Sequence, residues 1–317
     1  MSERQARATK RNSLWPREHG AYAQLALPLV TSLGIAEPNM AAIGFALTAT
    51  SGFLAHEPAL VVLGRRGARA RQELLVPARR RLVFLAALGA LGAALGLRGA
   101  HTPTLIACAA VAVLVGIAVI SISLKREKTL PGELLAAVAL STASVPVALA
   151  SGMPPVVAVI NAGAWVAIFV LGTLTVHSVL SRAKARATVL PAAAGALAVA
   201  LSTLAVLAAS ILDAMWPVAL LPPALATLAV LLLRTTPKHL RRIGWSMVAA
   251  DVVALILLVY GLQGVSGEDL RASSVSLVSR SLSVVRQAAW PHESRNEAAR
   301  ASRATPSACA RSSWRQP

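Results

Sequence analysis

Long apolar runs separated by short polar gaps constrain this chain more than anything else in it, because lysine and arginine collect in every second gap. Hydrocarbon offers no hydrogen bonds, so a run of about 20 apolar residues reads as a helix crossing about 30 Å of lipid. Nine such runs are predicted, over 20–36, 40–63, 82–97, 103–124, 134–150, 156–176, 189–212, 217–233 and 245–264. The expected fold class is all-α, a polytopic transmembrane helical bundle of about nine spans. The third run is short and is expected to be half-buried or met by a thinner bilayer. Pro28 and Pro146 fall inside runs and predict kinks.

Composition agrees. The 317 residues are 56% hydrophobic and only 14% charged, against roughly a quarter charged in ordinary soluble domains. The net charge of +18 raises the question of nucleic acid, but aromatics make up 4% and no basic face is interleaved with them. The partner expected for this charge is the bilayer, through anionic headgroups, and not nucleic acid.

The distribution of that charge sets an orientation. The N-terminal arm carries Arg4, Arg7, Lys10, Arg11 and Arg17, and the second gap after it holds seven arginines between Arg65 and Arg81. Lys125, Arg126 and Lys128 follow in the next gap of this set, then Arg182, Lys184 and Arg186, then Arg234, Lys238, Arg241 and Arg242. The intervening gaps hold Arg98 alone. Positive loops stay inside, so the chain is expected in the bacterial cytoplasmic (inner) membrane with its N-terminus in the cytoplasm. Residues 1–18 read as a basic arm, 19–264 as the transmembrane domain and 265–317 as a disordered tail. Residues 270–289 of that tail could instead form an interfacial helix. No cleavable signal peptide is expected, because the first apolar run leads into others. Cys108 and Cys309 give neither a disulfide framework nor a metal site.

The first span opens on a dense polar cluster, Trp15-Pro16-Arg17-Glu18-His19-Gly20-Ala21-Tyr22-Ala23-Gln24. Pro16 suits a first helical turn, and Gly20 and Ala21 permit close helix approach. Ionisable groups at that depth need partners or water, which points to function or to a headgroup anchor. The segment from Pro16 to Tyr22 resembles the opening of the YwiC-like family of bacterial membrane proteins. That resemblance implies a multi-span protein without an established activity.

A broader likeness lies further on. Lys125-Arg126-Glu127-Lys128-Thr129, then Leu130-Pro131-Gly132-Glu133-Leu134, is similar to the basic turn after the fourth helix of UbiA-type prenyltransferases. The resemblance implies a UbiA-like arrangement of nine spans, with two Asp-rich motifs holding Mg²⁺ on a prenyl diphosphate. The corresponding positions here read His56-Glu57-Pro58-Ala59-Leu60 with Arg65-Arg66-Gly67-Ala68-Arg69, and His177-Ser178-Val179-Leu180-Ser181. The chain's aspartates are Asp213, Asp251 and Asp269, none of them at either position.

A cytoplasm-facing cavity is the expected site, lined by Glu18, His19, His56, Glu57, His177 and Asp251, with Arg65, Lys125 and Arg126 as anion-binding residues. Such a set could bind a metal, relay protons or act as acid and base, and interhelical packing explains it equally. No spacing makes a metal site, and no cofactor is identified. Asp251 sits about two turns into the ninth predicted span, where an ionised carboxylate costs about 3 kcal/mol. Asn161 reads as a satisfied interhelical hydrogen bond. Three functions remain: binding of a lipid-linked or amphipathic anion, UbiA-like prenyl transfer without the usual Asp-rich motifs, or proton-coupled transport. No Gly-rich phosphate loop, HExxH or GxSxG motif is present.

Overall fold

A computed structural model describes residues 19–124, 129–184, 189–212 and 214–263. The expectations for the N-terminal arm, the tail and the putting of Lys125 and Arg126 in a basic turn lie outside those residues. The described chain is helical and builds α1 (His19–Ile35), α2 (Met40–Val62), α3 (Ala68–Leu97), α4 (Thr102–Ser123) and α5 (Leu130–Thr142). There follow α6 (Ser144–Ala150), α7 (Pro155–Ala183), α8 (Leu190–Leu212), α9 (Leu221–Leu232) and α10 (Leu240–Leu262). A 3₁₀ turn, Trp216–Leu220, leads into α9. With α5 and α6 counted as one, seven helices are long and apolar enough to cross a membrane, and Gly20–Ile35 and Trp216–Leu232 are shorter apolar segments. The polytopic helical bundle expected from the apolar runs is the fold observed.

The helix ends sort into two sets. Asn39 donates from Nδ2 to Ala150 O, and Gln263 donates from Nε2 to Gly34 O at 3.0 Å. These residues mark one end of the bundle. The other end carries the turn with Arg65 and Arg66 and is called the basic end below. Because Gly34 and Gln263 are both near helix C-termini, α1 and α10 run parallel.

Packing follows small residues. In lipid the apolar effect between helices is weak, so association relies on close contact and interhelical hydrogen bonds. Ala42, Ala78, Ala137, Ala148, Ala158, Ala194, Ala198, Ala224 and Ala254 are all fully buried. The most extensive helix pair is α2 with α3. There, a Cβ on Gly92 would stand 2.6 Å from Gly44 O, and one on Gly44 would stand 2.6 Å from Gly92 O. Thr48 Oγ1 then donates across the crossing to Gly89 O at 3.1 Å. α7 is the hub, packed against α1, α5, α6, α8, α9 and α10. α4 is peripheral, with exposed Ile106, Val113, Ile117 and Ile120 facing outward as lipid requires.

Two details differ from the sequence reading. The third helix is not short: α3 has 30 residues, about 45 Å. Arg69, Arg71, Arg79, Arg80 and Arg81 therefore ride on a helix, and only Leu63–Gly67 remains as turn. Good helix formers over 68–76 carry α3 through Pro77. Pro146 does break its span, because its ring opposes the carbonyl of residue 142, where α5 ends. Pro28 leaves α1 continuous.

Candidate functional site

The sharpest polar contact at the basic end joins Glu57 to Arg66. Glu57 lies near the end of α2 and is 7% exposed. Gly64 at φ 70° and Gly67 at φ 95° adopt backbone that L side chains avoid, and they fold the turn back on α2. Arg66 Nε then donates to Glu57 Oε2 at 3.0 Å, and Arg66 Nη2 donates to Oε1. The fork matches the carboxylate, which binds both its oxygens. Arg65 points into solvent instead. His56 is half-buried beside this pair.

The first helix reaches the same region. Tyr22 meets Phe53 of α2 edge to face, with ring centroids 5.3 Å apart. Glu57 and Arg81 both lie within electrostatic reach of the Tyr22 hydroxyl. The aromatic that closes the opening motif thus packs on α2 one turn before Glu57. Glu18 lies outside the described residues, and His19 begins α1 with a side chain that does too.

Residues 15–148 match the family model of YwiC-like proteins. That stretch covers α1 to α5 and most of α6, including Tyr22, Glu57, Arg66 and Arg81. The YwiC-like resemblance of the opening motif therefore extends from α1 into α6. No curated protein and no solved structure matches the chain.

The YwiC-like stretch also supplies Glu133, which the sequence did not single out. Pro131 starts α5 and Thr129 caps it, accepting from Gly132 N at 3.4 Å. This sets Glu133 in the first turn, where a carboxylate faces the positive helix end. His177 Nε2 lies 2.9 Å from Glu133 Oε2. His177 of α7, which is outside the matched stretch, is therefore tied to α5 and not shown joined to His56. The available signal was an acidic residue right after a Pro-Gly helix start.

Asp251 is elsewhere. α10 begins at Leu240, not near 245, so Asp251 is at the middle of the 23-residue helix. It shares a buried stripe with Ile243, Met247, Ala254 and Leu258. Its Oδ1 has no hydrogen-bond partner. Asn161 is completed only on one side: Nδ2 donates to Ser32 Oγ at 3.0 Å, while Oδ1 has no partner.

Along α3, Arg79 and Arg80 are exposed and share one helix face with Val76, Val83 and Phe84. Val76, Val83 and Phe84 are 60–69% exposed. Guanidinium and bare apolar surface thus alternate where α3 enters its apolar stretch. Arg69 is paired with Glu73 through Nε at 2.8 Å. Among the described residues no three His, Cys, Asp or Glu side chains cluster as a metal site.

Proposed function

We propose that this integral membrane protein holds an amphipathic anion, such as a lipid-linked phosphate, at its basic end on the cytoplasmic side. The observation that carries this reading is the exposed α3 face on which arginine and apolar side chains alternate. Arg79 and Arg80 offer charge and donors for an anionic headgroup, and Val76, Val83 and Phe84 offer adjacent surface for an acyl or prenyl chain. Arg66 and Arg69 are already engaged by Glu57 and Glu73. The exposed Arg65 adds to the same field. Lys125 and Arg126, which follow α4 in sequence, are the further anion-binding candidates.

Prenyl transfer draws less support. Its Mg²⁺ would need free hard oxygens, and Glu57, the carboxylate at the first motif position, has both oxygens on Arg66.

Native mass spectrometry of the protein extracted in mild detergent tests the reading. Retention of anionic phospholipid or polyprenyl phosphate over phosphatidylcholine is expected, reduced at least fivefold in Arg79→Ala/Arg80→Ala. Equal retention of zwitterionic and anionic lipid, or no effect of the double variant, would overturn it.

A further inference from the structure

We infer that Asp251 is a proton-binding carboxyl set within a line of polar side chains that follows α7 across the bundle. The line begins at the end opposite the basic turn. Ser32 Oγ donates to Ser144 O at 3.3 Å and accepts from Asn161 Nδ2. One turn along α7, Trp165 Nε1 donates to Thr31 Oγ1 at 3.1 Å. Nearer the basic end, Thr175 Oγ1 and Thr227 Oγ1 stand 3.0 Å apart. Beyond them Arg182 Nη1 donates to Leu231 O at 3.2 Å. Asn161, Trp165, Gly172, Thr175 and Arg182 recur at helical spacing and so lie along one face of α7.

The line has one gap, between Trp165 and Thr175. Two turns from the Thr31–Trp165 bond toward the basic end lead to Gln24 on α1 and Gly172 on α7, because these helices run antiparallel. At Gly172, a Cβ would meet only the Met247 methyl, at 3.8 Å, and nothing else within 4 Å. Met247 is one turn from Asp251 on the same buried stripe. The gap is therefore the level at which Asp251, 7% exposed, holds an oxygen without a partner. Half-buried Gln24 on α1 carries an amide about one turn from that level.

A proton suits this site better than a metal cation. A hard cation needs several oxygens at once, while a proton needs one, and a neutral carboxyl removes the cost of a charge amid apolar side chains. No countercharge faces Asp251 from the described residues of the helices packed on α10. On α7, His177 and Arg182 are both near the basic end and engaged with Glu133 and Leu231 O. On α1, Tyr22 is two residues from Gln24 on the basic side, and its ring is against Phe53 of α2. The turn Trp216–Leu220 and α9 carry no ionisable group, and Lys238 and His239 precede α10 at the basic end. The carboxylate takes a proton from water that reaches the line and becomes neutral. On ionising it returns that proton to water. This inference is independent of the arginine-bearing face of α3.

Dicyclohexylcarbodiimide, which adds to protonated carboxyls in apolar surroundings, tests it on the full chain in liposomes. Peptide mass spectrometry should find the adduct on Asp251 at acid pH, falling at least tenfold toward alkaline pH. Asp251→Asn should lose it. Absence of adduct at every pH, or labelling unchanged from acid to alkaline pH, would overturn the inference. The pH profile of the unsubstituted protein decides this even if Asp251→Asn does not fold.

Discussion

Glu57 and Arg66 are nine residues apart and form a forked ion pair that closes the α2–α3 turn over a buried carboxylate. Removing the guanidinium leaves Glu57 charged in an apolar setting. Removing its neighbour Arg65, which faces solvent, leaves the pair intact.

Arg66→Ala is therefore expected to destabilise the protein by about 1–2 kcal/mol, a buried-pair cost reduced because the Arg66 side chain is one third exposed. Arg65→Ala should fall within about 0.5 kcal/mol of the parent. Dodecyl sulfate unfolding in mixed micelles measures both. Glu57→Gln/Arg66→Ala should recover part of the loss, because no charge is then stranded.

The α2–α3 crossing makes a second prediction. A methyl on Gly92 would collide with Gly44 O and Thr48, all in helix backbone or a bonded side chain. Gly92→Ala should cost about 1–3 kcal/mol, as overpacking does. Gly116→Ala on α4 meets nothing within 4 Å and should be neutral or slightly stabilising. Equal melting temperatures for the two variants would show that the helices can separate without penalty.

The polytopic helical bundle was legible because lipid imposes one demand, apolar length, and seven helices meet it visibly, while Gly20–Ile35 and Trp216–Leu232 are shorter apolar segments. The extension of α3 was not legible by that rule. Residues 68–81 are charged, yet Ala, Arg, Gln, Glu and Leu favour helix in water as in lipid, so hydropathy missed a helix that leaves the apolar stretch. The same blindness to Arg241 and Arg242 started the last span near 245 instead of 240, so Asp251 read as about two turns in and is at the midpoint of the helix. Among the site residues, Arg65 and Arg66 look alike in sequence. The positive φ values at Gly64 and Gly67 decide which one turns inward. Glu133 needed a partner 44 residues away to stand out. The alanine content, which reads as a compositional bias, fills helix contacts where larger side chains would hold the backbones apart.

The Glu133–His177 contact fixes α5 against α7 at the basic end. Glu133→Ala removes the acceptor and should cost about 1 kcal/mol, less than a fully buried pair because Glu133 is 44% exposed. Glu133→Gln keeps an acceptor and should cost less than half as much. A double-mutant cycle with His177→Ala checks this: a coupling near zero would mean that the two groups face one another without contributing.

Orientation gives the last prediction, because the arginine asymmetry and the bundle's two ends must agree. The turn at Ala68 and the Gln263–Gly34 contact lie at opposite ends, and Ala100 joins the latter end through the α3–α4 turn. With Cys108→Ser and Cys309→Ser as background, Ala68→Cys should react with an impermeant maleimide only after the inner membrane is opened. Ala100→Cys should react in intact spheroplasts. Both residues sit outside the apolar stretches, so reagent access and not burial governs the outcome. Labelling of Ala68→Cys in intact spheroplasts would invert the topology and move Arg79 and Arg80 to the outer leaflet, where the anion proposed for them would have to be sought instead.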